Sequence, residues 1–411
     1  MKIKALSDLN RVLPFDPLEF PRETNQHYIS ASNEEIGKML ANLETESLQD
    51  LFLHIPQEIR FDKAPNLPCE LEYNELIESL LTLSEKTKLK TSFIGDQLPV
   101  WKIDPAIEEL ARLRPLTTSY TPYQPERSQG TLQTHWIYQC ALSALTGFEA
   151  INTSLYDRSF AIYESILCAI RTSKRPSKAL LSRSLFENDI QVLETLAEGT
   201  GLEFSFVDIN PENGKIDLNA LHSINENEIN SIACFVFPQV NALGILEEVD
   251  SLTDFCRKNG MRSIACIDPM LLASGGLKAP SNFGEHADGA DFIAGDAQHL
   301  ATPPSFGGPG LGIFGCRFNA QNKSDLRNSP GRYVGKAQDL NGRDCFVMVL
   351  STREQHIRKE KATSNVCSNQ AFLATLAGAH LLLKGNDGIA NSLKFALENK
   401  EKFLADVAAL E

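Results

Sequence analysis

Short apolar runs alternate with helix-like stretches through the middle of the chain. The stretches between the runs carry apolar residues at helical spacing, as at 189–198 and 252–258. Near-continuous apolar strands separated by helices are typical of a mostly parallel sheet covered on both faces. We therefore predict a large α/β domain over residues 91–385. The predicted strands are 150–155, 179–182, 203–207, 232–237, 263–267, 291–294 and 311–316, and a helix over 131–146 precedes them, ended by Gly147.

Both ends of the chain show helical patterns of a different kind. Ser32-Asn-Glu-Glu35 has the form of a capping box, and helical spacing follows at 36–40 and again at 70–84. These patterns predict a small helical unit within residues 1–90. Residues 386–411 are charged and helix-like, so we expect them to form the start of a C-terminal domain that is otherwise largely absent.

Composition limits the possible partners. The chain has 39 Lys+Arg against 53 Asp+Glu, a net charge of −14, which argues against nucleic acid or an anionic membrane as a partner. Arg171, Lys174, Arg175 and Lys178 form a small basic cluster, which we interpret as a solvated helix end. No apolar run reaches transmembrane length. The nine cysteines include no CxxC pair, which favours reduced thiols in a cytoplasmic protein over a disulfide framework or a metal site.

Residues 293–310 form a loop of unusual composition between two apolar runs. It contains Pro303, Pro304, Gly307, Gly308, Pro309 and Gly310. Proline fixes the backbone, whereas glycine permits close approach. Two interpretations remain open for this loop: a tight hairpin between core strands, or a segment that approaches a ligand or another subunit.

Three predicted strand ends carry candidate chemistry. Asp157-Arg-Ser precedes a helix, Asp268 closes one strand, and Gln298 follows the next. This order resembles the large domain of pyridoxal-phosphate enzymes of the aminotransferase type, in which a turn holds phosphate, an Asp binds the pyridine nitrogen and a Lys forms the Schiff base. Residues 290–310 contain no Lys, so no internal Schiff base can form there. Lys278 precedes the required strand, and we interpret it as a surface residue.

Several longer motifs resemble subunit 1 of the split glycine dehydrogenases (decarboxylating), the alpha half of the glycine cleavage system P-protein. The resemblance covers roughly residues 25–385. The motifs are Ile55-Pro-Gln-Glu-Ile-Arg60, Thr121-Pro-Tyr-Gln-Pro-Glu126, Ser128-Gln-Gly-Thr-Leu132, Asn152-Thr-Ser-Leu-Tyr-Asp157, Ser305-Phe-Gly-Gly-Pro309, and the most specific, Arg353-Glu-Gln-His-Ile-Arg-Lys-Glu-Lys-Ala-Thr-Ser-Asn365.

The resemblance implies a fold type I domain, like that of the aminotransferases, with a degenerate site. The partner subunit 2 would carry pyridoxal phosphate and its lysine, and this chain, which binds no cofactor and no metal and is inactive alone, would join it in an α2β2 assembly. The complex would decarboxylate glycine and pass the aminomethyl group to the lipoyl arm of H-protein. Gln298 falls at the Schiff-base lysine position, and the relic cofactor positions are Asp157, Arg158, Ser159 and Asp268. Residues expected near the partner's active site are Tyr120, Tyr123, Gln124, Glu126, Phe306, Gly307 and Gly308.

Two departures from the family pattern leave alternatives open. Asp157-Arg-Ser-Phe-Ala161 stands where the family has Asp-Gly-Ala-Thr-Ala, and the chain ends before most of the expected C-terminal domain. We therefore expect an exposed apolar patch near the C-terminus unless a partner fills it. The second hypothesis is an inactive scaffold or diverged pseudo-enzyme of the same fold. The third is an independent pyridoxal-phosphate enzyme that uses another lysine.

Overall fold

The computed structural model describes residues 31–60, 71–88, 90, 101–117, 128–173, 175–319, 322–367 and 369–410. The chain divides into two compact units, Met1–Thr91 and Ser92–Glu411. The first unit contains helices α1 (Asn33–Asn42) and α2 (Tyr73–Glu85), neither of which has a buried residue. The predicted capping box at Ser32 is confirmed, since its hydroxyl accepts the Glu35 N–H and the Glu35 carboxylate accepts the Ser32 N–H.

The second unit is built on a mixed sheet. Its seven strands, within the described residues, are ordered β1-β7-β6-β5-β4-β2-β3. Strands β2 to β6 pair in parallel, whereas β7 is antiparallel to both β6 and β1. The strands are β1 (Ala150–Ile151), β2 (Lys178–Ser182), β3 (Glu203–Val207), β4 (Cys234–Pro238), β5 (Arg262–Ile267), β6 (Phe292–Asp296) and β7 (Gly312–Cys316).

Continuous burial along the central strands confirms that both faces of the sheet are covered. In β4, Phe235 and Phe237 belong to one apolar cluster and Cys234 and Val236 to the other. Successive side chains of a strand point to opposite faces, so each face of the sheet has a core of its own. Only the edge strand β3 leaves most of its residues partly exposed.

Helices cover the two faces. Gly147 ends α5 in the left-handed conformation at φ 72°, as predicted. The helices of this unit are α3 (Pro105–Ala111), α4 (Arg114–Thr117), α5 (Gln129–Thr146), α6 (Arg158–Thr172), α7 (Glu187–Ala197), α8 (Leu218–Ser223), α9 (Glu226–Ser231), α10 (Val249–Lys258), α11 (Gln298–Ala301), α12 (Lys323–Asn328), α13 (Gln355–Arg358) and α14 (Ala371–Ala408). None of the helices that the structure describes is long and apolar enough to cross a membrane.

The long helix α14 packs closely on α5 and then becomes exposed. A Cβ at Gly378 would lie 3.1 Å from Cβ of Tyr138, so the two helices meet at this small residue. Gly385 has non-helical backbone angles and kinks the helix. Beyond the kink, large apolar side chains are more than half exposed, as expected for this end of the chain; they are Phe395, Phe403, Leu404 and Leu410.

The segment before α14 is anchored by a partly buried arginine. The hairpin β8 (Tyr333–Gln338) and β9 (Asp344–Val349) leads into it. The guanidinium of Arg353 donates to the carbonyls of Leu326, Ser329, Gly331 and Leu350. The motif that starts at Arg353 therefore holds the loop around residue 330 in place.

The basic cluster differs from the prediction. Arg175 is partly buried and donates to three backbone carbonyls, those of Ile229, Ile232 and Asn259. Lys178 forms an ion pair with Glu228 at 3.4 Å. The interpretation as a solvated helix end is wrong for Arg175. Its guanidinium binds carbonyls at the ends of helices α9 and α10, which are distant from Arg175 in sequence.

Candidate functional site

The predicted strand ends converge at one edge of the sheet. Strands β1, β5 and β6 run in the same direction, so the residues that follow them lie at the same edge. Asp157 follows β1, Asp268 follows β5, and Asp296 and Gln298 stand at the end of β6. We refer to the space above these ends as the cleft.

The turn before α6 is held by interactions within the chain. Asp157 caps the helix, accepting the Phe160 N–H at 2.8 Å. Nε of Arg158 donates to Oδ2 of Asp189 at 2.7 Å, and the Ser159 hydroxyl donates to Oδ1 of the same carboxylate at 2.5 Å. The Arg158 guanidinium also lies 4.1 Å from the ring centre of Phe186. Both side chains that could face a phosphate are thus directed at α7.

Asp268 has a histidine beside it. Nε2 of His299 lies 3.2 Å from Oδ1 of Asp268, and the two side chains form an ion pair when the imidazole is protonated. Burial lowers the pKa of His299, but the charge and the contact of Asp268, together with the charge of Asp296, outweigh it and the net shift is upward. Burial raises the pKa of Asp268, but His299 and the Met270 N–H outweigh it, so that pKa falls.

Trp101 lies beside this pair. Its ring meets the His299 ring edge-on with centroids 6.3 Å apart, and its Nε1 donates to the Thr302 carbonyl at 2.8 Å. An aromatic ring against one side of the imidazole limits the positions that His299 can take. Trp101 therefore helps hold His299 toward Asp268.

Gln298 is directed into its own loop. Its backbone N–H donates to Oδ1 of Asp296 at 2.6 Å, and its side-chain amide donates to the carbonyls of Pro304 at 3.3 Å and Pro303 at 3.5 Å. Burial raises the pKa of Asp296, partly offset by that Gln298 N–H. The Gln298 side chain thus braces the glycine- and proline-rich loop.

The structure confirms the hairpin interpretation of that loop, and the approach to a ligand or another subunit stays a prediction. It joins the antiparallel neighbours β6 and β7, so it is a hairpin between core strands. It also presents Phe306, which is fully exposed and has φ 59°, a conformation that a large side chain rarely adopts. Gly307 is exposed beside it, Gly308 is partly exposed, and the Gly308–Pro309 peptide is cis.

The far end of the loop packs against the turn before α6. A Cβ at Gly310 would lie 2.8 Å from Cβ of Asp157, and one at Gly312 would lie 2.3 Å from the Asp157 carbonyl oxygen. Only glycine permits this approach. The loop and the turn therefore form one rigid wall of the cleft.

The remaining predicted residues are not all placed. Tyr120, Tyr123, Gln124 and Glu126 lie outside the described residues. Lys278 is separately engaged, because its Nζ pairs with Asp250 at 2.8 Å. Within the described ranges, no group of three or more His, Cys, Asp or Glu side chains could hold a metal ion.

Sequence reasoning missed Asp189, His299 and Trp101. His299 is adjacent to Gln298, and that adjacency was the available signal for it. Asp189 and Trp101 are distant from the cleft residues in sequence and give no local signal. They join the site only because α7 and the segment before α3 fold onto this edge of the sheet.

Pyridoxal phosphate does not fit the residues present in the cleft. Gln298, which the resemblance sets at the lysine position, is a buried amide bonded to its own loop. The Asp that would meet the pyridine nitrogen is paired with His299, and the turn that would hold phosphate is paired with Asp189. The fold at this edge is that of the pyridoxal-phosphate-dependent fold type I proteins, but the site lacks their chemistry.

Comparison with known proteins identifies the family. The sequence model described as "Glycine cleavage system P-protein" matches residues 26–407. The chain is 34% identical over 386 residues to a probable glycine dehydrogenase (decarboxylating) subunit 1 from Francisella philomiragia, covering 93% of this chain and 82% of the relative. A relative of the same description from Francisella tularensis subsp. novicida is 34% identical over 385 residues, with the same coverage. The chain belongs to the glycine cleavage system P-protein family.

Solved structures agree with this assignment. The crystal structure of a glycine decarboxylase (P-protein) of the glycine cleavage system, in inhibitor-bound form, matches with a TM-score of 0.75 and 32% identity, covering 88% of this chain and 78% of that one. Mouse CSAD in apo form matches with a TM-score of 0.56 at 15% identity, covering 88% and 73%, and shows the shared fold alone.

Proposed function

We propose that this chain is the subunit of glycine dehydrogenase (decarboxylating) that binds no pyridoxal phosphate and serves the reaction through a partner. The observation that carries the proposal is Gln298, a buried amide at the lysine position, bonded to the loop carbonyls of Pro303 and Pro304. An amide cannot form a Schiff base with an aldehyde cofactor. The cofactor and its lysine then belong to subunit 2.

The assembly we propose is an α2β2 complex of this chain with subunit 2. The glycine-rich loop supports a protein contact at the mouth of the cleft, because it is held rigidly at Gly310 and Gly312 and still presents a fully exposed Phe306. A rigid, exposed aromatic side chain is a typical anchor of a protein interface. We assign Phe306, Gly307 and Gly308 to the surface near the partner's active site, together with Tyr120, Tyr123, Gln124 and Glu126.

The complex would decarboxylate glycine and transfer the aminomethyl group to the lipoyl arm of H-protein. Relatives named glycine dehydrogenase (decarboxylating) subunit 1 support this reaction.

We retain 1–90, 91–385 and 386–411 as the proposed domain limits. A cytoplasmic location is supported by the cysteines, since the eight in the described part of the chain are free and several are buried.

Reconstitution tests the proposal. The chain, subunit 2 loaded with pyridoxal phosphate and lipoylated H-protein are assayed for exchange of labelled bicarbonate into glycine, each alone and in combination. Activity is expected only when both subunits are present. Partner binding without exchange would favour the scaffold alternative, and cofactor absorbance from this chain alone would favour the independent enzyme.

A second experiment tests the assigned surface. Tyr123→Phe and Gln124→Ala are introduced separately, and assembly and exchange are measured in the reconstituted complex. Leu340→Ala is the matched control, because Leu340 is fully exposed at the tip of the β8–β9 hairpin. If both variants match the control in assembly and in exchange, the placement of Tyr123 and Gln124 near the partner's active site is wrong.

A further inference from the structure

We propose that the chain closes its own cofactor position with two internal pairs, His299 against Asp268 and Asp189 against Arg158 with Ser159. The first pair takes the place of a pyridine ring and the second the place of a phosphate. The inference rests on the part of the proposed function that assigns no cofactor to this chain. The inference adds that replacing Gln298 by lysine is not sufficient to restore binding of pyridoxal phosphate.

The first pair presents Asp268 with a ring that mimics a cofactor. A pyridine nitrogen that is protonated and an imidazolium both offer a positive N–H to a carboxylate. When protonated, His299 places this kind of group 3.2 Å from Oδ1 of Asp268, and Trp101 borders the imidazole at 6.3 Å between centroids. A cofactor ring would have to compete with His299 for Oδ1 of Asp268.

The second pair occupies the phosphate turn. A helix N-terminus with an Arg and a Ser could hold an anion. Here the Asp189 carboxylate, itself buried, accepts from Arg158 at 2.7 Å and from Ser159 at 2.5 Å. A phosphate would have to compete with this carboxylate and would be repelled by its charge.

The charges of the two pairs influence each other. Arg158 also lowers the pKa of Asp268 through its charge, after the larger effect of His299. Among the described residues of the cleft, Arg158 and His299 both contact carboxylates. Asp157 and Asp296 add further negative charge at the same edge, which disfavours the dianionic phosphate.

The test uses the full chain with Gln298→Lys as the background. The introduced amine condenses with the aldehyde of pyridoxal phosphate with loss of one water, and borohydride reduces the imine to a stable amine that intact mass reports. His299→Ala and Asp189→Asn are added singly and together. His299→Asn is a conservative second variant, and His286→Ala, at an exposed histidine, is the matched control. Circular dichroism establishes that each variant is folded.

Pyridoxal and pyridoxal phosphate distinguish the two pairs. The background variant is expected to bind both weakly. His299→Ala should strengthen binding of both aldehydes by about five- to tenfold. Asp189→Asn should strengthen binding of pyridoxal phosphate alone, since it releases Arg158 and Ser159 and removes a charge.

The outcomes separate this inference from the proposed function. Binding of pyridoxal phosphate by the unaltered chain would overturn the assignment of no cofactor. The background, the His299 and Asp189 variants and the His286 control could also bind the cofactor equally. That result would show that the two pairs do not close the cofactor position, and it would leave the assignment of no cofactor to the unaltered chain intact. Folded double variants that still bind nothing would overturn it as well, because another feature would then exclude the cofactor.

Discussion

Nε2 of His299 lies 3.2 Å from Oδ1 of Asp268, across the ends of two adjacent parallel strands. Asp268 follows β5 and His299 follows β6, so the contact is set by the strand order. When His299 is protonated, the pair brings a positive and a negative side chain together at the proposed cofactor position. The stability of the fold should therefore depend on pH through the protonation of these two side chains.

The pair should stabilise the fold only while His299 is protonated. Its folded pKa is raised above the usual 6.5, so this contribution is complete below pH 6.5 and is lost as pH rises through the raised value. The folded pKa of Asp268 is lowered from 3.8, so at the acid end the contribution is lost as pH falls through that lowered value. His299→Ala should cost about 0.5–1 kcal/mol near pH 6, because Asp268 is half exposed.

Urea unfolding at about pH 6 and about pH 9 measures this difference, the pH values being chosen on either side of the ordinary histidine pKa. The gap between the unaltered chain and His299→Ala should shrink at the higher pH. His286→Ala serves as the control and should show no such change. An equal gap at both pH values would mean that His299 acts through packing and not through its charge.

Gly312→Ala should destabilise the large unit by about 1–3 kcal/mol. The added Cβ would lie 2.3 Å from the Asp157 carbonyl oxygen and 2.9 Å from Cβ of Leu155, and neither atom can move without shifting the backbone. Gly308→Ala in the same loop is the matched control, because its Cβ would meet only the Gly310 nitrogen at 3.5 Å. Thermal unfolding of the two variants should differ clearly, and similar melting temperatures would contradict the close packing of loop and turn.

Arg353→Lys should cost about 2–4 kcal/mol of unfolding free energy. A lysine ammonium cannot reach the four carbonyls that the planar guanidinium holds, and the carbonyls of Ser329 and Gly331 would be left unpaired. Arg358→Lys is the control in the same motif, since Arg358 is exposed and donates to the Thr352 carbonyl. Chemical denaturation compares the unfolding free energies of the two variants. If Arg353→Lys loses no more than Arg358→Lys, Arg353 does not anchor the loop.

Phe306→Gly should separate stability from assembly. Residue 306 has φ 59°, which glycine adopts without strain, so the isolated chain should become as stable or slightly more stable, by up to about 1 kcal/mol. Binding to subunit 2 should weaken, because a fully exposed anchor is lost. Melting temperature and calorimetric affinity report the two effects, with Leu340→Ala as the exposed control. Unchanged affinity would remove Phe306 from the proposed interface.

Sequence reasoning predicted local features well because they depend on neighbours along the chain. The apolar runs of β4 and β5, the capping box at Ser32 and the Gly147 terminus are examples, and each has a residue-level cause. The strand 150–155 was overpredicted, since β1 is only Ala150–Ile151 and Leu155 makes one isolated bridge to Gly312. Apolar character alone does not reveal where a strand loses its partner.

The sequence by itself determined the α/β fold and the absence of a lysine at position 298, because periodicity and residue identity are properties of the chain alone. Only the tertiary structure decided what surrounds that position. Asp189 reaches Arg158 from α7, and Trp101 reaches His299 from before α3. Such contacts join residues from separate elements, so they exist only once the strands are ordered and their ends share one edge of the sheet.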